Sequence, residues 1–231
     1  MNYARLEAVL KEWEEAYRPL HDAEAAAPFG LRKDAPAAPE TITALETGLG
    51  TPLPPSLRGF FLQYSGKLIF SAFLSDAFCA SLPAPLRGIF SAGAEISPEG
   101  IAVAEAARRE WIKSCFSDPG DAYGGVFHGK LGLIAVGNGD VIACDLHDGQ
   151  EDHRIVYLSH DDGEGHGRAL GRSFGDFLER WAAVGLCGPE DWQWLPFIGG
   201  AEAGIDPACP NAAAYRRLVL RHGAAGQPFP A

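Results

Sequence analysis

The stretch Gly132–Leu146, GLIAVGNGDVIACDL, decides the fold. Two apolar runs flank Asn138-Gly139. An Asn-Gly pair between such runs is a strong hairpin signal, because a two-residue type I′ loop needs positive φ at both central residues. On that reading Gly137 faces Asp140, and the register follows outward from the turn. Leu133 faces Cys144, Ala135 faces Ile142 and Leu131 faces Leu146, an apolar core face. On the other face Ile134 meets Ala143, Val136 meets Val141 and Gly132 meets Asp145. Asp145 is then a lone carboxylate on an apolar strand. Burying such a group is costly unless it is paired, so it has a partner or lies at an open edge.

The next strand is Arg154 to His160, RIVYLSH, with Val156 and Leu158 on one face and Ile155 and Tyr157 on the other. Polar loops bracket it, LHDGQEDH before and DDGEGHG after. Asp140, Asp145, His147, Asp148, Asp152, His153, His160, Asp161, Asp162, Glu164 and His166 therefore fall within one short span. A metal centre would need ligands converging from defined positions, and the spacing fits neither an H-E-x-x-H helix nor an EF-hand loop. Ser159, His160 and Asp161 are consecutive, so they cannot converge as a triad, and no G-x-S-x-G elbow is present. Gly137-Asn138-Gly139 does not continue into G-x-G-x-x-G, since Ile142 holds the last glycine position, and no Walker loop exists. The expectation is no catalytic residue, no metal and no cofactor. Two readings of the cluster stay open: an acidic, His-containing binding rim made of two loops at one end of the sheet, and solvated loop structure.

Helical spacing marks the flanks. Leu6, Val9, Leu10, Trp13 and Tyr17 form one amphipathic face that Pro19 ends. Residues 21–40 are rich in Ala and Pro and read as a linker or surface strap. A second helix is expected to open at an N-cap Thr41 and stop at Gly50. Ser56 is expected to cap a third, whose Leu57, Phe60, Phe61 and Tyr64 make a core stripe. Ile89 to Ile96 reads as a strand, and Ser97-Pro98-Glu99 opens a helix that runs to about Cys115. Tyr123 to His128 reads as a short strand. Ser173, with Asp176 three residues on, caps a helix buried through Phe174, Phe177, Leu178, Trp181 and Val184. Beyond Gly185 the chain turns rich in Trp, Pro and Gly, with a short helix near Asn211. Trp192 and Trp194 are either core or a partner site there. The divisions are 1–38 (amphipathic helix and linker), 39–185 (the main domain) and 186–231 (a C-terminal strap).

At 231 residues with 47% hydrophobic content, the chain can bury a sizeable core. Thirty acidic residues against 19 basic give a net charge of -11. That argues against nucleic acid, which needs a positive face for its phosphates, and is compatible with a basic protein partner. No run is long enough to span a membrane, and the first helix lacks the apolar core of a signal peptide. Five scattered cysteines without a C-x-x-C pair suggest reduced thiols in a cytoplasmic protein.

The order of several segments resembles the SUKH superfamily, the fungal cell-wall-assembly-regulator type of domain. The resemblance lies in the helix Ile42 to Leu49 with Glu46, the Leu-Pro-Pro-Ser start of a helix ending Tyr64-Ser65-Gly66, and GNGDVIACDL with Asp140 and Asp145. Val156-Tyr157, His160-Asp161 and the SFGDFLERW helix complete it. Ser65 stands where the family commonly has Asn. The resemblance implies a single α+β domain, a mixed or mainly antiparallel sheet flanked by helices, with no catalytic activity. Bacterial members resemble immunity proteins that neutralise a cognate toxin, often a nuclease or deaminase, by binding it in the cytoplasm. The alternative is a regulatory scaffold that binds a host enzyme. On the immunity reading Asp140, Asp145, Asp161 and Asp162 belong to or border the binding face, and Tyr157 and His160 supply shape and hydrogen bonds. Oligomeric state is not legible.

Overall fold

The computed structural model describes residues 1–26, 28–200 and 203–225. The elements run α1 (Tyr3–Tyr17), β1 (Gly30–Lys33), α2 (Pro39–Leu49), α3 (Pro55–Gln63), β2 (Leu68–Phe73), α4 (Asp76–Ser81), β3 (Ser91–Ile96), α5 (Pro98–Ser114). They continue with β4 (Lys130–Ala135), β5 (Val141–Asp145), β6 (Ile155–Leu158), β7 (Ala169–Gly171), α6 (Phe174–Ala183), α7 (Asp191–Trp194) and α8 (Pro210–Ala225). The fold is α+β, with its strands divided between two antiparallel sheets ordered β1-β2-β3 and β4-β5-β6-β7.

The four-stranded sheet is buried on both faces. Leu131, Ile134, Ile142, Cys144, Ile155 and Tyr157 enter the main core. Val141, Ala143, Val156 and Leu158 pack with Ala104 and Phe127 beneath α5. The expected parity of β5 and β6 therefore holds. The expected register does not. Gly139 alone takes positive φ in the turn, its amide donates to the Val136 carbonyl, and Val136 pairs back to Asp140. This is a three-residue loop ending in a left-handed glycine, not a type I′ turn. The Asn138 side-chain Oδ1 accepts the Asp140 amide at 3.0 Å and sets that shape. A bulge between Gly132 and Ile134 adds a second offset. Lys130, not Gly132, consequently faces Asp145.

Gly132 instead lies against α5. A Cβ there would meet the Ala104 carbonyl at 2.6 Å, so only glycine lets helix and strand come this close. Beside it sits a buried pair that reads as ordinary helix-surface charge in sequence. Glu105 takes two hydrogen bonds from Arg108, at 2.8 and 2.7 Å, and one from the Gly132 amide at 2.9 Å.

Other expectations shift for local reasons. The Ala/Pro-rich stretch contains β1, which pairs with β2. The second helix starts at Pro39 with Ala38 before it, because a proline at the first position is preset for helical φ. Ser56 does not cap α3; its amide and hydroxyl both donate to Asp152, at 3.0 and 2.8 Å. Residues 124–127 form a 3₁₀ turn rather than a strand, since Asp121 accepts the amides of Tyr123 and Gly124. Trp194 is core, whereas Trp192 is exposed. One core cluster runs from Leu6 of α1 to Val219 of α8, and Trp13 stacks on Tyr215 between them.

Candidate functional site

The hairpin turn and the loop after β6 meet at one end of the four-stranded sheet, and Asp140 joins them. Asp140 is 2% exposed. One carboxylate oxygen accepts the Tyr157 hydroxyl at 2.7 Å and the Asn138 side-chain amide at 2.8 Å. The other accepts the His160 amide at 2.9 Å and its Nδ1 at 2.7 Å. A carboxylate only accepts, so Nδ1 carries its proton toward it. Burial pushes the Asp140 carboxyl up, but these donors, led by Tyr157, outweigh burial and hold it below its ordinary value. Burial, followed by the bond to Asp140, pushes the Tyr157 phenol well up.

Aromatic rings fix the loop. The His160 ring stacks on Trp111 of α5 with centroids 4.3 Å apart, and the Trp111 indole donates to the Gly139 carbonyl at 2.8 Å. The His166 ring stacks on Tyr123 at 3.8 Å. Its Nδ1 accepts the Ser159 amide at 3.1 Å, which leaves Nε2 to donate to the Tyr123 carbonyl at 3.0 Å. Burial lowers the His166 pKa below 6.5, toward the neutral form that this pattern requires. The Tyr123 hydroxyl donates to the Ser159 carbonyl and accepts the Asp162 amide. Trp111 and Tyr123 are part of this site although sequence placed them only on a helix and a supposed strand.

The expected residues therefore separate into two groups. Asp140 and Tyr157 are interior braces, and His160 is half-buried between them and Trp111. Asp161 and Asp162 are exposed at the tip, with Glu164 beyond them. Asp145 lies at the far end of β5, ion-paired with Lys130 at 2.9 Å and Arg154 at 3.0 Å. The loop over 146–154 is at that far end too, because successive turns of an antiparallel meander alternate ends. The two acidic loops expected to form one rim are thus on opposite ends of the sheet. The rim that does form pairs the 137–139 turn with residues 159–167.

The ligand atoms of Asp140, His160 and Asp161 lie within 4.8 Å of one another. A cation there would have to displace donors from Asp140, whose oxygens already accept four hydrogen bonds. Ser159 is fully buried and its hydroxyl donates to Asp161; among the described residues no histidine bonds that hydroxyl, and His166 Nδ1 takes the Ser159 amide instead. The geometry is that of a rigid loop displaying carboxylates, not of an activated nucleophile.

Comparison with known proteins bears on the same span. A family model described as SMI1 / KNR4 family (SUKH-1) matches residues 36–180. No curated protein and no solved structure matches the chain. The matched span runs from just before α2 into α6 and includes the whole Asp140 network.

Proposed function

The chain belongs to the SMI1 / KNR4 (SUKH-1) family, and we propose from that premise that it is a non-catalytic, immunity-type binding protein. On this reading it neutralises a cognate bacterial toxin, a nuclease or deaminase of basic character, by direct contact in the cytoplasm. No helix among the described residues is long and apolar enough to cross a membrane. The observation that carries the reading is the loop with Asp161 and Asp162 exposed on a base that Asp140, Tyr157 and His160 lock from inside. A preorganised acidic surface on a chain of net charge -11 favours encounter with a basic protein and loses little ordering entropy on binding.

The test is a tagged pull-down from the native host at low and moderate salt, with the captured proteins identified. Capture of one basic, toxin-like protein in equal amount is expected. A housekeeping enzyme in its place would favour a regulatory scaffold, and an empty capture at both salts would sink the immunity reading.

A further inference from the structure

A cleft of about 460 Å³ lies where the outer face of the three-stranded sheet meets α5 and the end of β4; it reaches Gly137 of the hairpin turn but none of residues 159–167. We propose that it binds an extended, Lys/Arg-bearing segment of a partner protein, which adds as a strand to the open edge of β3. The proposal gives the binding protein a second surface. It rests on the reading above only in taking the occupant to belong to a basic partner.

The edge is open for a definable reason. β3 is the last strand of its sheet. The Leu74 amide donates to the Phe90 carbonyl, which sets the phase of the ladder. Backbone groups of Ala92, Ala94 and Ile96 then face β2, and those of Ser91, Gly93 and Glu95 face away. The segment after α6 covers the first part of this edge. The Gly93 amide donates to Leu186 at 2.9 Å, Gly188 donates to Ser91 at 3.0 Å, and Gln193 accepts the Ser91 amide at 3.1 Å. The Gly93 carbonyl and both backbone groups of Glu95 are left facing the cleft. Exposed edges are usually blocked in monomers, and an unblocked one is a template for an added strand.

The walls select the occupant. Five large apolar side chains are exposed among the described residues, and three line this cleft: Phe73 (37%), Phe90 (39%) and Val103 (60%). Gathered apolar exposure of this kind marks an interaction site. Its floor is shallow in side chains because the paired residues Ser71 and Gly93 there carry one small side chain and none. Glu95, Glu99 and Glu190 also line it, and no Lys or Arg does. Lys67, which does not line it, pairs with Glu95 at 3.0 Å. An acidic segment would be repelled, and a second copy of a chain of net charge -11 is a poor occupant. A strand alternating apolar residues with Lys or Arg satisfies the edge, the aromatic walls and the carboxylates together.

The test selects a display library of random peptides against the whole chain and measures the enriched peptides, fluorescein-labelled, by anisotropy. The expected peptides alternate apolar residues with Lys or Arg. Val103→Arg and Glu95→Pro should each weaken them about tenfold or more, Glu95→Gln should weaken them less, and Asp161→Lys should leave them unchanged. Proline removes the outward amide at a position where an edge strand tolerates it. Val103→Arg alters only an exposed side chain, so it reads the cleft even if Glu95→Pro misfolds. No enrichment, enrichment of acidic peptides, or binding indifferent to Val103→Arg would overturn the proposal. A wild-type dimer in sedimentation that Val103→Arg converts to monomer would overturn it in favour of self-association. The peptide assay needs no toxin, so it can fail while the pull-down succeeds, and the reverse.

Discussion

The Tyr157 hydroxyl donates to the Asp140 carboxylate across 2.7 Å, and neither side chain reaches solvent. This bond joins the hairpin turn to the middle of β6 beneath the exposed loop. Tyr157→Phe removes one of four donors from a buried charge and leaves the ring's packing intact. Leaving part of such an acceptor unsatisfied costs about 1–3 kcal/mol. In a domain of this size that is a fall in Tm of roughly 2–4 °C per kcal/mol. Urea denaturation of the variant checks it, and a midpoint equal to wild type would show that the bond contributes nothing to stability.

His166 makes stability pH-dependent near neutrality. Its folded pKa lies below 6.5, so the unfolded chain binds a proton more readily. Stability from this residue is complete above about pH 6.5 and falls as pH drops toward the folded value. Protonation would abolish the Nδ1 acceptor for the Ser159 amide. Urea midpoints taken between pH 8 and pH 5 should therefore decline less steeply in His166→Phe than in wild type. The carboxylates of Asp140 and Asp145 act in a lower window. Burial raises them and their donors lower them further, so both stand below 3.8 in the fold and their contribution is lost as pH falls beneath that value. Equal slopes for the two proteins between pH 8 and 5 would refute the assignment to His166.

Close packing of α5 on β4 depends on Gly132. An added Cβ would lie 2.6 Å from the Ala104 carbonyl and 2.7 Å from the Glu105 amide, and backbone cannot yield as a side chain can. Gly132→Ala should displace the helix, strain the Glu105–Arg108 pair and cost about 3 kcal/mol or more. Gly149→Ala is the matched control: nothing lies within 4 Å of its Cβ, and only its φ of +73° resists. That cost is about 1–2 kcal/mol. Thermal melts of the two variants should rank in this order, and a milder effect at Gly132 would contradict the packing account.

The presence of the central hairpin was legible because Asn138-Gly139 separates two apolar runs, and the parity of β5 and β6 followed from alternation alone. The register was not, because it turns on one side-chain bond from Asn138 and one bulge, neither of which changes composition. β1 was hidden for a different reason. Its four residues, GLRK, are half polar and become a strand only through pairing with β2. The Glu105–Arg108 spacing is that of a solvent-facing helix pair, and only the approach of β4 at Gly132 buries it. The candidate site showed the same divide. Its residue types were visible as a cluster, but which loops share an end is a property of the meander.

Asp152 provides the remaining prediction, because it caps a helix to which it does not belong. Its Oδ1 accepts the amide and hydroxyl of Ser56 in the first turn of α3, and the same hydroxyl accepts the Gly175 amide at the start of α6. A carboxylate at a helix N-terminus satisfies orphan amides and complements the positive end of the dipole. Asp152→Ala should cost about 1 kcal/mol, the usual loss of a cap. Ser56→Ala should cost a similar amount, because it removes one of the two donors to Asp152 and frees the Gly175 amide. The double variant should then cost less than the sum, since each single change already breaks the shared bond. Urea midpoints of the three variants test this. Strict additivity would mean that the carboxylate and the hydroxyl act independently, and that the two helix starts are not coupled through the loop over 146–154.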